Sequence, residues 1–282
     1  MMYIRYSLFF TLIIIFFNGC SNKVPKIEDR ISNINTLIKE NNLTKKVQKT
    51  QNFNLFTMQN IKDKQRCKEE TLSIYIEGDG LSWITRSRVS NNPTPINPFA
   101  LNLMLQDKTK CSIYIARPCQ YTNSSICKRK YWTSNRFDTL VVASFNEALN
   151  NIKKSVNNKD FKLIGYSGGA TVAAILSANR SDVTKLISVA GNLDPSYWTS
   201  YHKVSALKGL SPLMYIKKLE NIKQIHFIGS KDKIVPFEVF SSYYKKFKNK
   251  DNIEFKVLEG YTHHKKWHEN WKFLLNQISF SE

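Results

Sequence analysis

The decapeptide Lys162-Leu163-Ile164-Gly165-Tyr166-Ser167-Gly168-Gly169-Ala170-Thr171 constrains the fold more than any other stretch of the chain. A short apolar run (Phe161, Leu163, Ile164) predicts a strand, an alanine-rich pattern from Ala170 to Ala178 predicts a helix, and only a Gly-Tyr-Ser-Gly-Gly turn separates them. This matches the G-x-S-x-G elbow, in which a serine sits in a strained turn above the edge of a parallel sheet. Gly165 and Gly169 lack a Cβ, so strand and helix can approach closely around it. Ser167 is then presented at a helix N-terminus, where backbone N–H groups and the helix dipole favour developing negative charge. At ordinary Gly and Ser frequencies the pentapeptide arises by chance in roughly one chain in ten of this length. The assignment therefore needs partners elsewhere.

From Asn52 onward, short apolar runs alternate with helical patterns, which predicts a mostly parallel sheet flanked by helices. Strands are expected at Phe53 to Met58, Leu72 to Ile76, Ser112 to Ala116, Lys162 to Tyr166, Lys185 to Val189, Gln224 to Gly229 and Ile253 to Leu258. Helices are expected at Phe99 to Gln106, Thr139 to Val156, Ala170 to Asn179, Pro236 to Phe247 and Lys266 to Ile278. No Pro/Gly/Ser linker or internal repeat divides this region, so 51–282 reads as one α/β domain.

Reactive groups of such sheets collect at the C-terminal ends of the strands. After Leu72 to Ile76 comes Glu77-Gly78-Asp79-Gly80, where an oxyanion-binding loop belongs. Backbone N–H groups do that work, and those of Gly168 and Asp79 are assigned; a simple Gly-rich turn is the alternative. After Gln224 to Gly229 comes Ser230-Lys231-Asp232, and Asp232 is assigned as the acid that orients a histidine. Its rival is Asp194, which also reads as a helix N-cap before Pro195. After Ile253 to Leu258 comes Gly260-Tyr261-Thr262-His263-His264; His263 is assigned as the base, with His264 as its alternative. His226 lies inside a strand and reads as structural, whereas His202 and His268 are expected at the surface.

The N-terminus reads as a targeting segment. Arg5 precedes an apolar run from Leu8 to Phe17, and Asn18-Gly19-Cys20 closes it, which predicts a signal peptide over 1–19. Small residues before a cysteine resemble a bacterial lipobox, making Cys20 the lipidated first residue, although Phe17 replaces the usual Leu. A simple secretory signal or an uncleaved anchor is the alternative. Residues 20–50 then read as a lipidated N-terminus and tether, with one amphipathic helix over Ile27 to Ile38. With Ser21 rather than Asp after the cysteine, the expected location is the bacterial cell envelope, with the outer membrane favoured.

Four of the five cysteines remain after Cys20. An even number in an oxidising compartment suggests two disulfides, and Cys119–Cys127 and Cys67–Cys111 are the expected pairs, against four buried thiols. No C-x-x-C pair suggests zinc, and no metal or cofactor is expected. The formal net charge is +20. Its lysines are spread along the chain without a nucleic-acid motif, so an anionic membrane surface is the better partner, with a biased Lys- and Asn-rich composition as an equally good source of the charge; a monomer is expected.

The order Ser, Asp, His matches that of α/β-hydrolases, and from about Leu72 onward the chain resembles that superfamily. Its blocks Tyr75-Ile76-Glu77-Gly78-Asp79-Gly80, Ala116-Arg117-Pro118-Cys119-Gln120-Tyr121, Tyr131-Trp132-Thr133, Gly165-Tyr166-Ser167-Gly168-Gly169 and Ala190-Gly191-Asn192-Leu193-Asp194 are similar to those of bacterial, often lipoprotein, hydrolases. The resemblance implies the fold and a Ser167-His263-Asp232 triad, and supplies no substrate; Glu77 stands where the usual HG-type loop has His. The activity expected is that of an exported serine hydrolase on small ester or thioester substrates. A serine peptidase on the same fold and a non-catalytic binding lipoprotein are the alternatives, and reaction with a fluorophosphonate separates the last of these from an enzyme. Arg117, Arg86 and Arg88 read either as clamps for an anionic group or as scaffold arginines. Trp83, Tyr131, Trp132 and Trp198 read as lining for an apolar acyl pocket or as cover for the sheet edge.

Overall fold

Along the central strands both alternating faces are apolar, as a sheet covered on both sides requires. Leu72, Ile74 and Ile76 face one core while Tyr75 faces the other, and Phe161 and Leu163 are divided in the same way from Ile164 and Tyr166. The computed structural model describes residues 24–278. In chain order its elements are α1 (Ile27–Glu40), β1 (Thr44–Gln48), β2 (Leu55–Ile61), α2 (Lys64–Glu69), β3 (Leu72–Ile76), α3 (Phe99–Gln106), β4 (Cys111–Ile115), α4 (Thr139–Val156), β5 (Phe161–Tyr166), α5 (Gly168–Asn179), β6 (Val183–Val189), α6 (Pro195–Tyr201), α7 (Ile216–Leu219), β7 (Lys223–Gly229), α8 (Phe237–Tyr244), β8 (Ile253–Leu258) and α9 (Trp267–Asn276). The strands form one sheet in the order β1-β2-β4-β3-β5-β6-β7-β8. The β1–β2 and β2–β4 pairs are antiparallel and all later pairs are parallel. This is the expected α/β-hydrolase architecture.

Helices α4, α5 and α8 close one face of the sheet, and α1, α3 and α9 close the other. The Asp138 side chain caps α4 by accepting from Leu140 N, and Val141, Phe145, Leu149 and Ile152 recur at helical spacing on its buried side. It stops at Asn157, whose left-handed backbone (φ 60°) suits that residue type. Helix α5 packs on β5, β6 and β3 with α4 beside it, and Val172 to Leu176 are buried. Because the chain crosses from β4 over β3 to β5, the Ser167 elbow opens at the point where the strand order reverses, the usual place for a ligand cleft.

Two disulfides brace this frame. Cys67–Cys111 joins α2 to the first residue of β4, and Cys119–Cys127 closes the loop that leaves β4. The segment expected as a tether requires correction. Within 20–50, α1, the amphipathic helix expected there, buries Ile34 and Arg30 against the body, and β1 pairs over its whole length with Leu55–Gln59 of β2. Strand β1 gave no apolar alternation because it is an edge strand whose side chains stay largely in solvent. The signal peptide, Cys20 and the first residues of the expected tether lie outside the described residues.

Candidate active site

Ser167 lies between the end of β5 and the start of α5 with φ 50° and ψ −120°, a conformation that a residue with a Cβ rarely adopts. Two glycines make room for it. A Cβ on Gly165 would stand 2.4 Å from Ala170 Cα, and one on Gly169 would stand 2.4 Å from Ile76 O. The turn is held by backbone bonds, from Ser167 N to Val189 O and from Asn192 N to Ser167 O, both 3.1 Å.

The loops after β7 and β8 bring the other two groups to the serine. His263 Nε2 lies 3.1 Å from Ser167 Oγ, and His263 Nδ1 lies 2.8 Å from Asp232 Oδ2. The other carboxylate oxygen, Asp232 Oδ1, accepts from Ile234 N and Val235 N at 2.8 Å each, which fixes the plane of the group. Lys231 N donates to Tyr261 O, and Gly260 N to Ser230 Oγ, so the two loops are knit together. The Tyr166 hydroxyl donates to His263 O and so ties the histidine loop back to the elbow. Chemically, an imidazole held between a hydroxyl and a buried carboxylate can take the hydroxyl proton while the carboxylate stabilises the resulting cation.

The alternative residues are engaged elsewhere. His264 turns its Nδ1 to the Tyr166 hydroxyl at 2.7 Å. Desolvation, with the neighbouring His263, lowers its pKa to about 4. Asp194 caps α6 through Tyr197 N and accepts from Ser242 Oγ, linking α6 to α8. His226 is buried against Ser188 Oγ, and burial lowers its pKa to about 3, so it is a neutral core residue. His202 and His268, expected at the surface, are half-buried, with Nε2 close to Ile234 O in the β7–α8 loop and to Phe99 O at the start of α3 respectively.

Gly168 opens α5, so its backbone N–H has no partner within the helix. The Asp79 carboxylate packs directly over it: a Cβ on Gly168 would lie 2.3 Å from Asp79 Oδ1. The two backbone donors expected for an oxyanion thus belong to residues in contact beside Ser167. Asp79 also pairs with two buried guanidinium groups, Arg136 at 2.5 Å and Arg117 at 3.2 Å. Burial pushes its carboxyl up, but Arg136 and Arg117 outweigh that and hold it below the usual range. Gln120 spans the same loop, donating to Gly78 O and accepting from Arg117 N. Arg117 is therefore a scaffold arginine, and Arg86 and Arg88 are exposed. Trp83 and Trp198 line the cleft, whereas Tyr131 and Trp132 are buried in the core, with Trp132 Nε1 donating to Ser90 O.

Glu77 is fully buried at the head of this loop, and its two oxygens accept from Gly78 N and Ala100 N. Burial outweighs those bonds and raises its pKa from 4.5 to about 7. Between those values the folded protein binds more protons than the unfolded chain, so stability falls as pH rises. The contribution is fully present below 4.5 and lost by about 7, and amounts to on the order of 3 kcal/mol. Urea denaturation at pH 4.5 and pH 7.5 should show this slope, and Glu77→Gln should flatten it; an unchanged slope in the variant would assign it to another group.

The cleft above Ser167 has a volume of ≈ 580 Å³, with Ser167, His263, Asp79 and Arg136 among its polar lining and Trp83, Ile96, Trp198 and Ile234 among its apolar walls. Arg136 was not singled out from the sequence. The only signal for it was the need of a partly buried acid in the Glu77–Gly80 loop for a cationic partner.

A family model described as Serine hydrolase (FSH1) matches residues 89–265, a span that includes Ser167, Asp232 and His263. Solved structures share the architecture. Est1E from Butyrivibrio proteoclasticus is 14% identical, with TM-score 0.56, over 83% of this chain and 98% of that one. An alpha-beta serine hydrolase homologue from Coxiella burnetii is 16% identical, with TM-score 0.54, over 84% and 97%. The Pyrococcus furiosus esterase Pf2001 is 12% identical, with TM-score 0.59, over 84% and 91%. No curated protein sequence matches the chain.

Proposed function

The chain belongs to the serine hydrolase (FSH1) family, and from that premise we propose that it is an exported, lipid-anchored hydrolase of small esters or thioesters acting through an acyl-enzyme on Ser167. The observation that carries this reading is the continuous hydrogen-bonded line from Ser167 Oγ through His263 to Asp232, built on a serine held at positive φ. Ser167 Oγ attacks the substrate carbonyl as His263 Nε2 takes its proton. The tetrahedral oxyanion is held by the N–H groups of Gly168 and Asp79. His263 then protonates the departing alcohol or thiol, leaving the acyl group on Ser167. Water enters, loses its proton to His263 and attacks the ester, and the second tetrahedral species expels Ser167 Oγ, which recovers the proton. Asp232 keeps Nδ1–H pointing at itself throughout, so that Nε2 is the free base. The apolar walls of the cleft suit an acyl chain.

The test is reaction with a fluorophosphonate, together with turnover of soluble p-nitrophenyl esters of graded chain length. A single adduct on the peptide containing Ser167, with turnover, is expected. An adduct on another serine removes the assignment, and no adduct in the presence of folded protein favours a binding module.

Location is read from Cys20, the last residue of Asn18-Gly19-Cys20. Labelled palmitate should enter the wild type, whereas Cys20→Ala should stay unlabelled; equal labelling of the two refutes the lipid anchor and leaves an ordinary signal or anchor segment.

A further inference from the structure

The register of the edge strands fixes which end of the molecule carries the start of α1. Ile115, at the C-terminal end of β4, pairs with Thr57 near the start of β2, while Gln48 at the end of β1 pairs with Leu55. Strand β1 therefore ends at the active-site end of the sheet and begins at the other. Helix α1 ends three residues before β1 (41 to 43), at that far end, and runs about 21 Å back along the sheet face. Its first turns accordingly lie at the active-site end. Contact confirms this orientation, because Arg30 Nη1 donates to Thr94 O, next to Pro95 and Ile96 of the cleft wall. Only six residues (21 to 26) separate Cys20 from α1. Fully extended, the chain from Cys20 to Ile27 reaches at most about 25 Å.

The cleft mouth has the surface that such a location calls for. Trp83 is 42% exposed, Ile96 43% and Ile234 42%, and all three line the cleft. Trp83 and Ile96 come from the two limbs of the β3–α3 connection and Ile234 from the β7–α8 loop, so they do not form one continuous apolar segment. Large side chains left in water around a concave site mark a contact surface. The same loops carry exposed cations, Arg86 and Arg88 beside Trp83 and Lys231 and Lys233 beside Ile234, against exposed Glu238 and Glu259. Apolar anchors with flanking cations suit the boundary between acyl chains and anionic headgroups.

We propose that the rim formed by Trp83, Ile96 and Ile234 seats on the phospholipid bilayer that holds Cys20, so that the cleft opens onto the membrane surface and takes amphiphilic acyl esters from it. This rests on reading Cys20 as lipidated and the protein as an ester hydrolase.

The test uses full-length Ser167→Ala protein, purified from membranes and reconstituted into phosphatidylcholine–phosphatidylglycerol vesicles whose lipids are brominated in the upper acyl chain. Tryptophan emission should be quenched relative to ordinary lipid, and adding Trp83→Phe should remove most of that quenching. Ile96→Asp with Ile234→Asp, at exposed positions that leave the fold intact, should reduce quenching of Trp83 at least several-fold. Equal emission in brominated and ordinary lipid overturns the proposal, as does quenching that survives Trp83→Phe unchanged. Because quenching requires no hydrolysis, loss of the hydrolase reading would show separately, as wild-type protein that fails to turn over any soluble ester.

Discussion

Ser167→Ala should lower kcat for a soluble p-nitrophenyl ester by about 10³ or more while leaving the melting temperature nearly unchanged. The hydroxyl's partner is His263 Nε2, and Ala at φ 50° is no worse placed than Ser. His263→Ala should lose as much, and the double variant little more, because the groups act as one unit. Asp232→Asn is the more telling variant. Asp232 Oδ1 accepts two backbone N–H groups, so an asparagine must keep its carbonyl oxygen there and turn its NH₂ toward His263 Nδ1. The imidazole then accepts at Nδ1 and carries its proton on Nε2, facing Ser167, where it cannot act as a base. A fall in kcat of ~10³–10⁴ is expected from that tautomer change alone. Steady-state kinetics over the pH range would check it, and an Asp232→Asn enzyme of wild-type activity would show that another group orients the base.

The parts of the site that were legible in the sequence are those where local pattern and function coincide. The elbow is one continuous stretch, and Asp232 and His263 each follow within a few residues of a strand that a short apolar run marks, so chain order placed them. Choosing between neighbours depended on geometry that no spacing encodes. Asp194 and Asp232 both follow strands, but one closes a helix cap while the other turns its second oxygen to an imidazole. Arg136 and Asp79 are 57 residues apart, and neither lies in a periodic pattern that would pair them. Periodicity shows the helix over Ile27 to Ile38, but neither its packing on the body nor strand β1 is legible, because the edge strand has polar side chains on both faces and owes its place to backbone pairing with β2.

Asp79→Ala should be the most damaging substitution for stability. Arg117 and Arg136 are almost fully buried, their charge is met by this one carboxylate, and Arg117 also donates to Arg136 O, so the three groups form a single unit. Removing the acid leaves two guanidinium groups close together in a low-dielectric site without a counter-charge. Breaking a buried pair in this way costs about 3–5 kcal/mol, which lowers the melting temperature by on the order of 10 °C in a domain of this size. The sign of the pH dependence is opposite to that of Glu77. Because the arginines hold the Asp79 pKa below the ordinary 3.8, its contribution is present above about 4 and is lost as pH falls further. The alanine variant should therefore lose stability at neutral pH and show a shallower acid limb. Activity should follow, since the Asp79 carboxylate packs over Gly168 and the position of the Asp79 loop depends on the same ion pairs. A second variant separates charge from shape: Asp79→Ala with Arg117→Met and Arg136→Met should regain much of the stability, because an apolar replacement of all three leaves no charge unpaired. It should regain none of the loss in kcat if the ion pairs position the oxyanion donor. Calorimetry and kinetics on the two variants decide the matter, and Asp79→Ala protein with wild-type melting would show that solvent already satisfies the two arginines.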